Sequence, residues 1–379
     1  MKCWIEQQSL ALLVAAILLV CASEIYAQQV GLNARAVSVA TLQAALESLD
    51  DVGVLGSVIT YSVPGRQPVV ASRGYLDINK STVMGADRLF QIGSQTKMFT
   101  VAALLKLQAQ GKLNLNDLVS DYVDDTPRPN HLTIRQLAMH TGGIGDSVTF
   151  FDPPDGRRPD FDVSFENHLF LGKVAGEKFI PGESWAYNNL GFIILGRLIE
   201  VVSGKPLNEY TRTHILAPLG MDETFFGSLE TYPEQNMARG YFFQNKQLVD
   251  TTTPKLSWAS SAGDMVSSIA DMRKWAAALL DENNVINISL KDFTRILSTV
   301  DESGSFTRYG LGMMERRLAE RKLWGHGGFI HGYVTLTLIH PESGIMLHLM
   351  MNLKEESEKV LSAAERVCAI ALELAEAEL

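Results

Sequence analysis

The chain has 379 residues, 46% of them hydrophobic, with three cysteines and a formal net charge of −10. That size and apolar content suit one large or two interleaved folded domains, with a core big enough to do without disulfides. The acidic balance, with no basic run, excludes nucleic acid as an expected partner.

Lys2 precedes an apolar run from Leu10 to Val20 and a small-residue stretch ending Ile25-Tyr26-Ala27. A bilayer span needs about 20 apolar residues, and this run is too short. The pattern predicts a secretory signal over residues 1–27, cut after Ala27. It implies an exported protein, periplasmic or extracellular, with no stable membrane insertion after cleavage. A lipid anchor at Cys21 or an uncleaved N-terminal anchor is the poorer reading, because Val20 rather than a small residue precedes the cysteine. Cleavage removes Cys3 and Cys21 and leaves Cys368 without an internal disulfide partner.

Val37 to Leu49 is predicted as an amphipathic helix, with Val37, Val39, Leu42, Ala45 and Leu46 on one side. Val54 to Tyr61 and Val69 to Tyr75 read as strands joined by a turn at Pro64-Gly65-Arg66-Gln67. Ser94-Gln95-Thr96-Lys97 opens the next helix. Met98, Val101, Ala102 and Leu105 recur at i, i+3, i+4 and i+7, and Gly111 stops the run. This is the only Ser-x-x-Lys in the chain. Three positions along a helix, a lysine lies on the serine's face, close enough to take its proton. A helix N-terminus also favours an oxyanion and an uncharged lysine. Alone, such a pair is also what chance supplies to a chain of this length.

From Ser94 to about Lys255 helical patterns dominate, with an aperiodic Pro- and Asp-rich loop from Phe151 to Phe161. Thr133 to Met139 is a short helix stopped by His140-Thr141-Gly142-Gly143, where glycine is an ordinary helix end and His140 reads as structural. Tyr187-Asn188-Asn189 is the only Tyr-x-Asn. It precedes an apolar helix, Leu190 to Val202, ended by Gly204, so the Tyr187 hydroxyl can point into a cleft at the helix mouth. A phenol beside a lysine can carry protons, its pKa lowered from about 10 by the positive charge. Asn189 can donate to a substrate carbonyl and hold the lysine. Helix capping with a core tyrosine is the competing reading.

Beyond Leu256 the pattern changes. Ile269 to Leu280 is helical; Tyr309 to Trp324, Gly332 to His340 and Ile345 to Met351 read as strands; Lys354 to Glu378 closes the chain as a helix. His326-Gly327-Gly328 leads into a strand, where glycines on an edge let a substrate backbone approach and pair. Strands at both ends with helices between imply an α+β fold, one antiparallel sheet flanked by helices, with an all-helical region inserted. The boundaries are a single domain over 28–379, its sheet part at about 37–93 and 256–379 and its helical part at about 94–255.

Ser-x-x-Lys, Tyr-x-Asn and His-x-Gly in this order resemble the serine β-lactamase and penicillin-binding protein superfamily, in its class C, D-aminopeptidase and carboxylesterase branch. The segments Leu132 to Gly143, Pro218-Leu219-Gly220-Met221, Ser261 to Ser268 and Tyr309 to Met313 are similar to that family too, and the resemblance runs from about Val37 to Leu372. It implies the β-lactamase/transpeptidase-like sheet with an inserted helical domain, and covalent catalysis through an acyl-serine with no metal or cofactor. Carried over, it implies Ser94 as nucleophile, Lys97 as base or relay and Tyr187 in proton transfer. Asn189, His326, Gly327, Gly328 and Phe329 would bind substrate, with the Ser94 and Phe329 N–H groups as oxyanion hole.

The third motif departs from the family's pattern. Gly327 stands where a hydroxyl residue helps to hold a substrate carboxylate, and His326 replaces the usual lysine; a neutral histidine is a weaker anchor. The expected substrate is a small molecule or short peptide, and the expected activity that of a D-amino-acid peptidase or amidase, D-Ala-D-Ala carboxypeptidase-like. A carboxylesterase, a β-lactamase and a penicillin-binding sensor without turnover remain alternatives. No Gly-x-Ser-x-Gly, His-Glu-x-x-His or cysteine cluster points to another hydrolase class.

Overall fold

The computed structural model describes residues 34–379 except 129–130, 152–158, 160, 245–246, 253–254, 300–305 and 355–357. The segment read as a signal, 1–27, and most of the aperiodic loop from Phe151 to Phe161 lie outside the described residues.

The chain opens with helix α1 (34–50) and the hairpin β1 (Gly56–Ser62) and β2 (Val69–Gly74). A short β3 (Leu89–Gln91) leads into α2 (Thr96–Ala109). Then follow α3 (Ile134–Ala138), α4 (Phe165–Ala175), α5 (Asn189–Ser203) and α6 (Leu207–Thr211), continued by one wide helical turn over Arg212–Leu216. Next come β4 (Phe225–Phe226), β5 (Tyr241–Gln244), β6 (Gln247–Asp250), α7 (Ser260–Gly263), β7 (Met265–Ser268), α8 (Ile269–Leu280) and α9 (Leu290–Thr294). The chain ends with β8 (Ser298–Thr299), β9 (Phe306–Tyr309), β10 (Met314–Leu318), β11 (Arg321–Ile330), β12 (Tyr333–Ile339), β13 (Met346–Met351), β14 (Leu353–Lys354) and α10 (Glu358–Glu376).

Eight strands form one antiparallel sheet in the order β2-β1-β13-β12-β11-β10-β9-β8. The N-terminal hairpin therefore joins the C-terminal strands, with Ile59 opposite Leu349 on one side and Ala71 on the other. Alternation along β1 divides the core in two. Ile59 and Tyr61 pack with Leu42 and Leu46 of α1 and Val367 and Leu372 of α10. Val58 faces the other way, into the larger core that contains α2, α5 and α8.

Three local readings change in the structure. α2 carries no one-sided stripe: its residues from Thr96 to Leu105 are all buried, with Phe99 against Trp275 of α8, ring centroids 4.5 Å apart. A helix enclosed by other helices and a sheet is apolar all round. Tyr309 to Trp324, read as one strand, is the end of β9, a loop, β10 and the start of β11. The hairpin turn falls at Ala319 and Glu320, whose φ angles of 46° and 60° are both positive. Neither is a glycine or asparagine, the usual sign of such a turn. The stretch 94–255 contains β4, β5 and β6 after α6; strands of two to four residues are too short to show alternation, and β5 pairs with β14.

Candidate active site

Ser94 sits in a single tight helical turn, Gly93–Gln95, which runs directly into α2. Its neighbours anchor that turn on both sides. Thr96 donates through Oγ1 to the Gly93 carbonyl at 2.7 Å and accepts from the Met265 N–H at 3.1 Å. Gln95 Nε2 donates to Thr335 Oγ1 at 2.7 Å, and Thr335 Oγ1 donates to the Ile92 carbonyl at 3.1 Å. Gly93 has φ +53°, and a side chain there would meet the Phe329 amide nitrogen at 3.1 Å. The Ser94 turn and β11 thus lie in contact at Phe329, as an oxyanion site built from both would require.

Lys97, one turn along α2, is fully buried. Its Nζ lies 3.1 Å from Ser94 Oγ, 2.8 Å from Asn189 Oδ1 and 2.8 Å from the Ala262 carbonyl. Burial lowers its pKa to about 7, only partly opposed by the charge of Asp146. The same nitrogen is 4.8 Å from the centre of the Tyr187 ring and 5.4 Å from that of Phe192. The three groups that the motifs singled out, from residues 94, 97 and 187, come together with Asn189 around one ammonium.

The Tyr187 phenol behaves differently from expectation. Burial pushes its pKa up, against the opposing effect of a hydrogen bond with Ser94. The lysine that was to depress it is itself about half discharged at neutrality, and burial keeps the proton on the phenol. Asn189 is also more committed than expected. Its Oδ1 holds Lys97, while its Nδ2 and backbone N–H donate to Asp146 Oδ2 at 3.0 and 2.9 Å. One amide hydrogen remains for a substrate. Asn188 caps α5, accepting from the Gly191 N–H at 2.7 Å.

His326 lies on β11 at the cavity wall but is 1% exposed. Its Nδ1 donates to the Gly327 carbonyl at 2.6 Å, which leaves Nε2 to accept from the Tyr309 hydroxyl at 3.1 Å. Burial and the nearby Lys97 lower its pKa to about 3. Neutral, with both nitrogens used, it is no cationic anchor. Gly327 and Gly328 differ sharply. A Cβ on Gly327 would make only ordinary contacts, 3.4 Å from the Phe329 ring; one on Gly328 would fall 1.9 Å from the Ile92 carbonyl oxygen. β11 pairs with β12 along its length from Trp324 and with β10 only as far as Gly325. From His326 onward its other edge is therefore free of β10, and the expected strand edge exists locally inside an eight-stranded sheet.

Beside these groups opens a cavity of about 450 Å³. Trp185, Trp258, Met314, Phe329 and Ile330 are among its apolar lining residues, and Ser94, Tyr187 and Asn189 among its polar ones.

Sequence reasoning missed Asp146, Tyr309 and the place of His140. Asp146 is 6% exposed and accepts four hydrogen bonds, from the N–H groups of Val148, Asn189 and Leu190 and from Asn189 Nδ2. No motif marks it. His140, φ +61°, accepts from the Asn188 N–H at 3.1 Å and packs its ring 4.3 Å from Tyr187 and 4.5 Å from Tyr309. It lies behind the site rather than in it. Among the described residues no cluster of three metal-ligating side chains occurs, and no helix is long and apolar enough to cross a membrane.

The sequence pattern of the Beta-lactamase family matches residues 42–371. The chain belongs to this family. Among solved structures it is similar to the D-amino acid amidase from Ochrobactrum anthropi SV3 complexed with L-phenylalanine amide. The identity is 28% and the TM-score 0.80, over 89% of this chain and 98% of that one. A D-stereospecific amidohydrolase from Streptomyces sp. gives 28% and 0.73, over 86% and 98%. Protein flp of Staphylococcus aureus (strain NCTC 8325 / PS 47) is 27% identical over 75% of this chain and 56% of its own length. The putative penicillin-binding protein PbpX of Bacillus subtilis (strain 168) is 31% identical over 59% and 52%. The chain spans about half the length of these curated relatives.

Proposed function

We propose that the protein hydrolyses amide bonds of D-amino-acid peptides or amides through an acyl-Ser94 intermediate. The observation that carries this reading is Lys97 Nζ, 3.1 Å from Ser94 Oγ with a pKa brought down to about 7. An amine that is half free base at neutral pH can take the hydroxyl proton. Ser94 Oγ bonds to the substrate carbonyl carbon as its proton passes to Lys97. The oxyanion is held by the Ser94 and Phe329 N–H groups. The C–N bond then breaks, with a proton reaching the leaving nitrogen through the neutral Tyr187 hydroxyl. Water, activated by the same groups, releases the acid and restores Ser94.

Asn189 contributes its remaining amide hydrogen to the substrate, and β11 from His326 through Gly327 and Gly328 to Phe329 offers its free edge to the substrate backbone. The choice of D-substrates is supported by what the amidase and amidohydrolase relatives are named for. The division into a sheet part and a helical part, with the site between them, and export directed by residues 1–27 belong to the same proposal.

Labelling with a fluorophosphonate, followed by turnover of D-Phe amide and L-Phe amide, tests the reading. Wild-type protein should be labelled on Ser94 and should turn over the D-amide faster; Ser94→Ala should lose both label and turnover. Label on another residue, or residual turnover above a few per cent in Ser94→Ala, would overturn the assignment.

A further inference from the structure

The active-site cavity does not end at Phe329. A second, narrow gap of about 40 Å³ lies between the sheet and α10, and the two meet at the side chains of Arg316, Phe329 and Leu361. Leu336 and Leu338 of β12, Leu349 of β13, and Ala364 and Cys368 of α10 give the gap an apolar lining. The charged residues Arg317 and Glu365 also border it, and both are exposed to solvent. In a closely packed core such a gap deprives its walls of contacts, and an apolar void offers water no partners. An apolar group that enters it restores those contacts.

Gly327 connects the gap to the chemistry. It stands opposite Leu336 across β11 and β12, and a Cβ there would lie 3.4 Å from the Phe329 ring and 3.9 Å from Leu336 Cδ1. The residue without a side chain on the cavity wall therefore faces the leucine that lines the gap. Phe329 and Leu361, at the place where the two spaces meet, are 38% and 37% exposed, although Gly328 and Ile330 on either side of Phe329 are buried. Covering two such side chains with apolar surface is favourable. We infer that the gap beneath α10 is an alkyl subsite of this active site. An apolar branch of the substrate passes over Gly327, between Phe329 and Leu361, and ends against Leu336 and Ala364. The gap has room for about three groups of water or methyl size. Preferred substrates thus carry a chain of several carbons rather than the single methyl of alanine. The inference rests on the amide-hydrolase reading above and names the apolar group that such a substrate bears.

Either half of an amide could supply that chain, so two series test it: N-alkyl amides of D-alanine from methyl to hexyl, and primary amides of D-alanine, D-norvaline and D-norleucine. Calorimetric binding to Ser94→Ala protein reads the subsite without chemistry, and wild-type kcat/KM reads it with chemistry. In one series affinity should rise up to about fourfold per methylene and level off once the gap is full. Gly327→Val, which closes the mouth, and Ala364→Phe, which fills the gap from α10, should each flatten that rise. Leu336→Ala, which enlarges the gap, should move the plateau to a longer chain, so the question stays decidable if a filled variant does not fold. A rise in binding without turnover of either series supports the subsite and removes only the hydrolytic reading. Binding independent of chain length in both series, or a rise unchanged in folded Gly327→Val and Leu336→Ala proteins, overturns it.

Discussion

Lys97 is the residue whose environment does most for the chemistry. An ordinary lysine titrates at 10.5, far too high to accept a proton at pH 7; burial brings this one to about 7. Its three hydrogen-bond partners, Ser94, Asn189 and the Ala262 carbonyl, fix where its lone pair points. The free base is the competent form, so activity is lost as pH falls through the folded pKa. A plot of log kcat/KM against pH should therefore rise with unit slope and level off above an apparent pKa of about 7. An acid limb centred near 10, or none down to pH 5, would show that Lys97 is not the base. Asp146 contributes indirectly. By accepting from both Asn189 N–H groups it turns the side-chain oxygen toward the lysine.

At the scale of elements, β11 is where the strand code and the site meet. Its face alternates so that Trp324 and Ile330 enter the core shared with the helices while Leu323 enters the core beneath α1 and α10. The adjacent glycines on it serve different ends. Gly328 lets the strand lie against Ile92, which precedes the Ser94 turn, and Gly327 keeps the cavity wall open. Gly328→Ala should cost roughly 2 kcal/mol or more of folding stability, because the obstacle is a backbone carbonyl that cannot rotate away. Gly327→Ala should stay within about 1 kcal/mol of wild type. Urea midpoints at constant m-value measure both; a Gly328→Ala protein as stable as Gly327→Ala would contradict this contact.

For the whole molecule, buried titratable groups make stability depend on pH, Asp264 and Lys97 among them. Asp264 follows Gly263 at the cavity; its Oδ2 accepts from the Ser228 hydroxyl and its Oδ1 has no partner. Burial raises its pKa from 3.8 to about 7. Between those values the folded state holds a proton that the unfolded state has released, so this group's contribution to stability falls as pH rises from about 4 to 7. Lys97 acts in the next window. With a folded pKa of about 7 against 10.5 unfolded, the unfolded state binds more protons, and stability rises from about pH 7 to 10.5. Below pH 6.5 the buried His168, His326 and His348, whose pKa values are lowered, oppose the Asp264 contribution, so that contribution is read in the difference between wild type and variant. Asp264→Asn, which never ionises, should remove this group's pH-dependent contribution: little gain over wild type at pH 4, and a gain on the order of 2–4 kcal/mol at pH 7 and above. Denaturation midpoints of both proteins from pH 4 to 9 check it, and a gain independent of pH would rule out the ionisation of Asp264 as its source.

What the amino-acid order determined alone was whatever depends on near neighbours. The spacing of Ser94 and Lys97, the apolar helix after Tyr187, the alternation of β12 and the Ile269–Leu280 helix are all local periodicities, and each stands in the structure. That N- and C-terminal strands share one sheet was legible too, because strands lay at both ends of the chain; which of them pair, β1 with β13, was not. Whatever depends on burial or on contacts distant in sequence was decided by tertiary structure. Tyr187 was expected to lose its proton more easily and holds it more tightly, since its pKa follows from desolvation that no motif encodes. His326 looked like a weak anchor and is spent on Tyr309, seventeen positions away. The third motif read as lacking a cation; Arg316, ten residues earlier, reaches the same wall only because β10 and β11 fold back on each other at Ala319 and Glu320. A hairpin turn without glycine leaves no mark in the sequence, and the charge it delivers becomes visible only once the strands are paired.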